Sequence, residues 1–132
     1  MTWAPENIHI DTWPAVYPLL APAMELAGET PAELIDLLLS NRNQLWVLRK
    51  GGDPVAAAVS ELESTPKGKL VHVRLMGGKG MAGWVEDAVR TITLAAQQEG
   101  AITVRVEILP SLERVLRERG FKRAKVIMER AA

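Results

Sequence analysis

The hydrophobic period of this chain changes from two to about 3.6 across one short segment, and that change limits the folds open to it. From Lys69 to Met76, the residues Leu70, His72, Arg74 and Met76 alternate with Val71, Val73 and Leu75, the pattern of a strand. Further on, Trp84, Val85, Ala88, Ile92, Ala95 and Ala96 recur at helical spacing, and Gly100 marks the helix end. Between the two lies Gly77-Gly78-Lys79-Gly80-Met81-Ala82-Gly83, in which four of seven residues are glycine. Such a junction suits anions. Amides at a helix start lack intrahelical partners, the macrodipole favours negative charge, and glycine lets a phosphate approach the backbone. Lys79 adds a point charge, while the plainer reading is that the glycines only turn the chain.

Gly78, Gly80 and Gly83 also satisfy G-x-G-x-x-G, with Glu107 near where a ribose-binding acid would stand. A dinucleotide fold, however, begins with that unit and adds further parallel strands, and only about fifty residues follow Gly83. The P-loop is excluded because Lys79 is followed by Gly80 instead of Ser or Thr.

The flanking segments supply the rest of a sheet. Leu45-Trp46-Val47-Leu48-Arg49 and Val55 to Leu62 read as strands joined by a tight turn at Gly51-Gly52-Asp53, and with Lys69–Met76 they make an antiparallel meander. Upstream, prolines at 14, 18 and 22 predict a kinked or late-starting helix ending near Gly28. Thr30-Pro31-Ala32-Glu33 is an N-terminal cap with a proline in the first turn, opening a short helix over Leu34 to Leu39. Downstream come a strand at Ile102–Ile108, a short helix carrying Leu112, Val115 and Leu116, and a closing strand from Lys122 to Glu129. The expectation is a single α/β domain, residues 1–132, with N-terminal helices, a three-strand antiparallel meander, then helix-strand-helix-strand in a mixed sheet.

Composition narrows the function. Sixteen basic residues balance sixteen acidic ones, so no overall field draws nucleic acid or an anionic membrane. The chain has no cysteine and only two histidines, which excludes a disulfide framework, a thiolate nucleophile and a Cys-based zinc site. No apolar run approaches the roughly 20 residues that span a bilayer, and Met1–Glu6 has no export pattern. A soluble, cytoplasmic protein without a bound metal is expected.

The order of elements, together with the loop, resembles the GNAT superfamily of acyl-CoA-dependent N-acyltransferases. In that family a motif Arg/Gln-x-x-Gly-x-Gly/Ala binds the cofactor pyrophosphate through backbone amides, and Gly80 and Ala82 match its last two fixed positions. Gly120-Phe121 is similar to the Gly-Phe that opens the family's closing strand. The resemblance implies acetyl-CoA or coenzyme A as cofactor, with Val71, Val73 and Gly77, Gly78, Lys79, Gly80, Met81, Ala82 and Gly83 beside it, and a small-molecule or protein amine as acceptor. Three positions depart from the pattern: Gly77 replaces the Arg or Gln, Leu116 the general-acid Tyr, and Leu109 the usual Asn. A looser similarity, in Trp13-Pro14, Gln44-Leu45-Trp46-Val47 and Gly83-Trp84, is to short GNAT-like proteins of tailed phages. It implies the alternative of a non-catalytic structural or interaction protein of a phage virion.

Acyl transfer to an amine needs a proton acceptor, a donor that polarises the thioester and an open path beside the cofactor. His72, on the strand before the loop, is the residue type best suited to serve as a base near neutral pH. Glu61 and Glu63 lie near the end of the second meander strand and are the carboxylate candidates. Each also has a plainer reading, as a hydrogen-bonded strand histidine and two solvated acids. Glu107 ranks below them, and Tyr17 is expected to pack its ring. Trp46 and Trp84 read as packing residues. Trp3 and Trp13 read as a partner surface, through which the N-terminal segment would drive homo-oligomer or virion assembly. The basic residues from Arg114 to Lys125 are interleaved with Glu113 and Glu118 and read as a solvated face.

Overall fold

A computed structural model describes residues 2–80, 84–107, 113–123 and 130–131. Met81, Ala82, Gly83, Leu109, Leu112 and most of the expected closing strand at 122–129 lie outside the described residues. The elements run β1 (Thr2–Glu6), α1 (Trp13–Ala27), α2 (Pro31–Leu39), β2 (Gln44–Lys50), β3 (Asp53–Thr65), β4 (Gly68–Gly78), α3 (Val85–Gln98), β5 (Ala101–Val106) and α4 (Glu113–Arg117). The five strands form one sheet in sequence order, antiparallel from β1 to β4 and parallel between β4 and β5. The β4-α3-β5 unit therefore closes a mixed sheet, as the period change across the glycine run predicts.

One core lies on each face. Trp46, Leu48, Ala56, Ala58, Val71, Val73 and Met76 point toward Trp84, Ala88, Ile92 and Ala96 of the α3 region. On the opposite face Leu45, Val47, Ala57, Val59 and Leu75 meet Val16, Leu19, Leu20 and Met24 of α1 and Leu34 and Leu38 of α2. Alternation along each strand divides the two sets. The division breaks at Val55, which joins Ala56 on the α3 side at the register shift between Leu48 and Arg49, and again in β4, where Val59 pairs with Leu75 and Ser60 with Val73. Arg74 is the extra residue of a β-bulge. The bulge reverses the phase, so Leu75 joins the α1 face and Met76 the α3 face, opposite to the strict alternation read from the sequence.

The prolines of α1 do not break it. Pro14 lies in the first turn, and Pro18 and Pro22 sit inside a continuous 15-residue helix. Their spacing of four puts all three on one exposed stripe, where carbonyls deprived of a helical donor can face water. The helix ends on Gly28, at φ 69°, whose N–H donates to Glu25 C=O while the Glu29 N–H donates to Met24 C=O, a Schellman closure. The Thr30–Glu33 capping box then opens α2 as expected.

The N-terminal segment corrects the sequence reading. Thr2–Glu6 adds a fourth antiparallel strand at the sheet edge, with Pro5 tolerated because an edge strand has one unpaired side. Trp3 is only 4% exposed; its ring meets Trp84 edge-on at 5.8 Å, and its indole N–H donates to the Trp84 carbonyl at 3.4 Å. It is a core residue, not a partner surface. Two 2.8 Å hydrogen bonds from Arg49 to Glu6 fasten the same strand, and that carboxylate raises the Arg49 pKa. Trp13 is half-buried, stacking at a tilt on Tyr17 with centroids 5.9 Å apart, and both pack on the α1-side core.

Candidate functional site

The parallel pairing of β4 with β5 runs from Lys69–Ala101 to Val73–Val106 and stops there, closed by the Glu107 N–H donating to Val73 C=O at 2.9 Å. Strand β4 continues to Gly78. Beyond the fork it keeps its β3 partner but has no neighbour on the other side among the described residues. Backbone groups along a strand alternate in direction. Because the Lys79 N–H donates to Val55 on β3 at 3.0 Å, the amide and carbonyl groups of Met76 and Gly78 face away from β3, into this gap. Among the described residues, the fork leaves an open slot with a backbone hydrogen-bonding edge, leading from the bulge to the glycine loop.

Within the glycine run, the residues are glycine for different reasons. A Cβ on Gly77 would collide with the Leu19 carbonyl oxygen, because the backbone of α1 lies directly on β4 there. One on Gly78 would lie 2.7 Å from both Ala56 Cα and the Val55 carbonyl oxygen. Both are demanded by packing, which explains why Gly77 stands where the family pattern has a long side chain. Gly80 has open space around its Cα and a φ of 66°, a conformation that glycine adopts without strain. The loop is braced by the Trp84 indole N–H, which donates to Lys79 C=O at 3.1 Å. Trp84 gives α3 no side-chain cap, so the first-turn amides remain to be satisfied from outside the helix, although Glu86 and Asp87 share that turn.

Below the fork, on the α1 face, a polar cluster surrounds the bulge. Arg74 Nε donates to Asn43 Oδ1 at 2.9 Å, and its terminal nitrogens reach Glu29 at 2.9 and 3.5 Å. Glu61 Oε2 lies 3.8 Å from Arg74 Nε. The Schellman turn after α1 delivers Glu29, and the turn after α2, with Asn41 at φ 60° and the Asn43 N–H bonded to Leu37 C=O, delivers Asn43. Burial raises the Glu29 pKa above the ordinary carboxylate value; Arg74 offsets part of this, and Glu33 and Glu61 add to it. The sequence reading missed Arg74, Glu29 and Asn43. An arginine inside the apolar run Val71–Met76 was the available signal.

His72 is 12% exposed and flanked by carboxylates on both sides. Its Nδ1 is 3.2 Å from Glu63 Oε1, while Nε2 is 2.7 Å from Glu107 Oε1, a contact close enough for an ion pair but without hydrogen-bond alignment. The register places Glu61 directly opposite His72. The three sequence candidates are thus adjacent, and Glu107 joins them. Val71 and Val73 are in register with Val104 and Val106, and their side chains are in the α3-side core, so the open backbone edge begins one residue beyond Val73. Leu116 is 4% exposed in that core, with Phe121 packed against it through a second Schellman closure at Gly120. Among the described residues no cluster of three or more metal-ligating side chains occurs, and no helix is long and apolar enough to cross a membrane.

No protein-family model and no curated protein sequence matches the chain. The fold does match solved structures. A ribosomal-protein-alanine N-acetyltransferase from Brucella melitensis biovar Abortus 2308 superposes with a TM-score of 0.73 at 16% identity, over 100% of this chain and 99% of that one. A predicted acetyltransferase from Clostridium acetobutylicum, solved with acetyl-CoA, gives 0.71 at 11% identity over 98% and 96%. A glucosamine-6-phosphate N-acetyltransferase from Arabidopsis thaliana gives 0.67 at 13% over 99% of each chain. The chain has the fold of the GNAT-type acetyltransferases.

Proposed function

We propose that this protein is an acetyl-CoA-dependent N-acetyltransferase acting on an amine. The observation that carries the reading is the fork between β4 and β5, with the backbone groups of Met76 and Gly78, unpaired among the described residues, facing the slot it opens. An extended arm carrying amide groups can bond to that edge as an added strand would. Its phosphate end would then fall at Gly80 and the first turn of α3, where backbone amides and the helix dipole favour an anion. Gly78, Lys79 and Gly80, with Met81, Ala82 and Gly83, would line the phosphate end. Val73 and Gly77 would flank the arm through the strand backbone, with Val71 deeper in the same strand. The fold shared with an acetyltransferase solved with acetyl-CoA supports this cofactor.

When bound, acetyl-CoA supplies the acetyl group as a thioester. The residues of this chain hold the arm, keep the α3 face apolar and dry, and place carboxylates on the other face near the bulge. Direct attack by the amine needs no protein nucleophile. Leu116, buried in the core, cannot donate a proton to the departing sulfur, so protonation falls to solvent or to the acceptor itself.

Calorimetric titration with acetyl-CoA and with desulfo-CoA tests the reading. Saturable binding of both is expected, and Gly80→Glu, which puts a negative side chain at the phosphate end, eliminates the heat while cooperative unfolding is retained. Absence of binding by the parent protein would sink it. A second reading, a non-catalytic interaction protein of a phage virion, draws on Leu116; it predicts an assembly that coenzyme A leaves unchanged. With Trp3 buried, Trp3 contributes nothing to any such contact.

A further inference from the structure

Glu107 is the first residue beyond the last β4–β5 pair, so it stands at the point where the strands part. Its side chain turns back over the α1 face of the sheet to His72, and His72 reaches Glu63 on the far side. The three form a row from β3 across β4 to the end of β5. Glu107, at the fork, is the most exposed of the three at 61%, against 35% for Glu63 and 12% for His72. Of the other carboxylates nearby, Glu29 is held by Arg74 and Glu61 lies beside the same guanidinium, while Glu63 shares His72 with Glu107 but is less exposed and lies on the side away from the fork. Among the described residues, Glu107 has one oxygen against His72 and the other without a partner. From Gly78 to Val73 the strand spans roughly 17 Å, at about 3.4 Å per residue. An arm whose phosphates sit at Gly80 therefore brings its acyl end down toward the fork, close to Glu107.

We infer that Glu107 receives the acceptor ammonium and takes its proton, with His72 as the residue that positions it. The inference rests on the acetyltransferase reading above. One proton passes from the ammonium to the Glu107 carboxylate, giving a neutral amine and a carboxylic acid. The nitrogen lone pair forms the bond to the acetyl carbon, and the carbon–sulfur pair leaves on sulfur. The nitrogen's second proton neutralises the thiolate, and Glu107 returns its proton to solvent, so each turnover releases one proton net. His72 has both ring nitrogens against carboxylates, which fits it to hold Glu107 and not to accept a proton itself.

Ethylamine and 2,2,2-trifluoroethylamine separate this role from a structural one, because they are similar in size and only the second is largely uncharged at neutral pH. Glu107→Gln is expected to lower kcat/KM for ethylamine by roughly 100-fold or more, the ordinary worth of a general base. Turnover of trifluoroethylamine should fall less than about threefold, because the base is then not needed. Acetyl-CoA affinity should not change. His72→Gln should lower ethylamine turnover by less than Glu107→Gln does, and shift the ascending limb of its pH–rate profile. Equal losses on both amines, or no loss on either, overturn the assignment, as does a parent protein that binds acetyl-CoA and acetylates neither. A parent protein that fails to bind acetyl-CoA is a different result, which removes the acetyltransferase reading itself.

Discussion

Gly77 and Gly80 stand three residues apart in one run, yet one belongs to the core and the other to the proposed site. Gly77 is where the backbone of α1 touches β4, and no side chain fits. A Cβ on Gly80 would meet nothing within 4 Å among the described residues, and the position is glycine because its backbone turns through positive φ. The comparison shows that a glycine-rich motif is not one feature. Its first part is packing, and only its second part is free to meet a ligand.

The comparison breaks most easily at Gly77. Gly77→Ala should destabilise the protein by about 3 kcal/mol or more, at the upper end for overpacking, because the obstacle is backbone and cannot rotate away. Urea unfolding measures it; a loss under about 1 kcal/mol would mean that α1 does not lie on β4 as described.

Next in size is Arg74, which ties Glu29 and Asn43 to the bulge. Arg74→Met should cost about 2–3 kcal/mol at neutral pH, at or below the lower end for a fully buried pair because the cluster is partly solvated. The pH dependence has a defined sign. Burial makes Glu29 easier to protonate folded than unfolded, so its charged form costs stability above the raised pKa. That cost disappears as pH falls through the window between the raised and the ordinary value. Without Arg74 the cost is larger, so the difference between variant and parent should shrink on acidification through that window. Unfolding curves across the acid range check this, and a difference that grows on acidification contradicts it.

Gly80→Ala should be milder, about 1 kcal/mol of backbone strain with room for the methyl group, and should weaken acetyl-CoA binding more than it weakens the fold. The smallest effect belongs to Lys79, whose side chain is exposed. Lys79→Ala should change stability by less than about 0.5 kcal/mol. It should reduce cofactor affinity only modestly, since on the proposed reading backbone amides would carry the phosphate contact; a calorimetric loss larger than that of Gly80→Ala would reverse the assignment.

Local chemistry set what could be read from the chain alone. The capping box at Thr30, the turn at Gly51-Gly52, the period of two through Lys69–Met76 and the period near 3.6 after Trp84 each depend on neighbours within a few residues. They led to the meander, the crossover helix and the mixed sheet, and the site candidates His72, Glu61 and Glu63 fell in one neighbourhood. What depended on distant residues was not legible. Thr2–Glu6 carries a proline and little β-branching, and becomes a strand only because β2 offers an edge and Trp84 a surface for Trp3. The bulge at Arg74 follows from how β3 and β4 pair, and an alternation rule applied to β4 alone cannot place it. Glu29, Asn43 and Arg74 are far apart in sequence and meet because two helix-terminal turns end over the same strand. Gly77 and Gly80 look alike in the sequence, because only packing against α1 distinguishes a glycine that is crowded from one that is open.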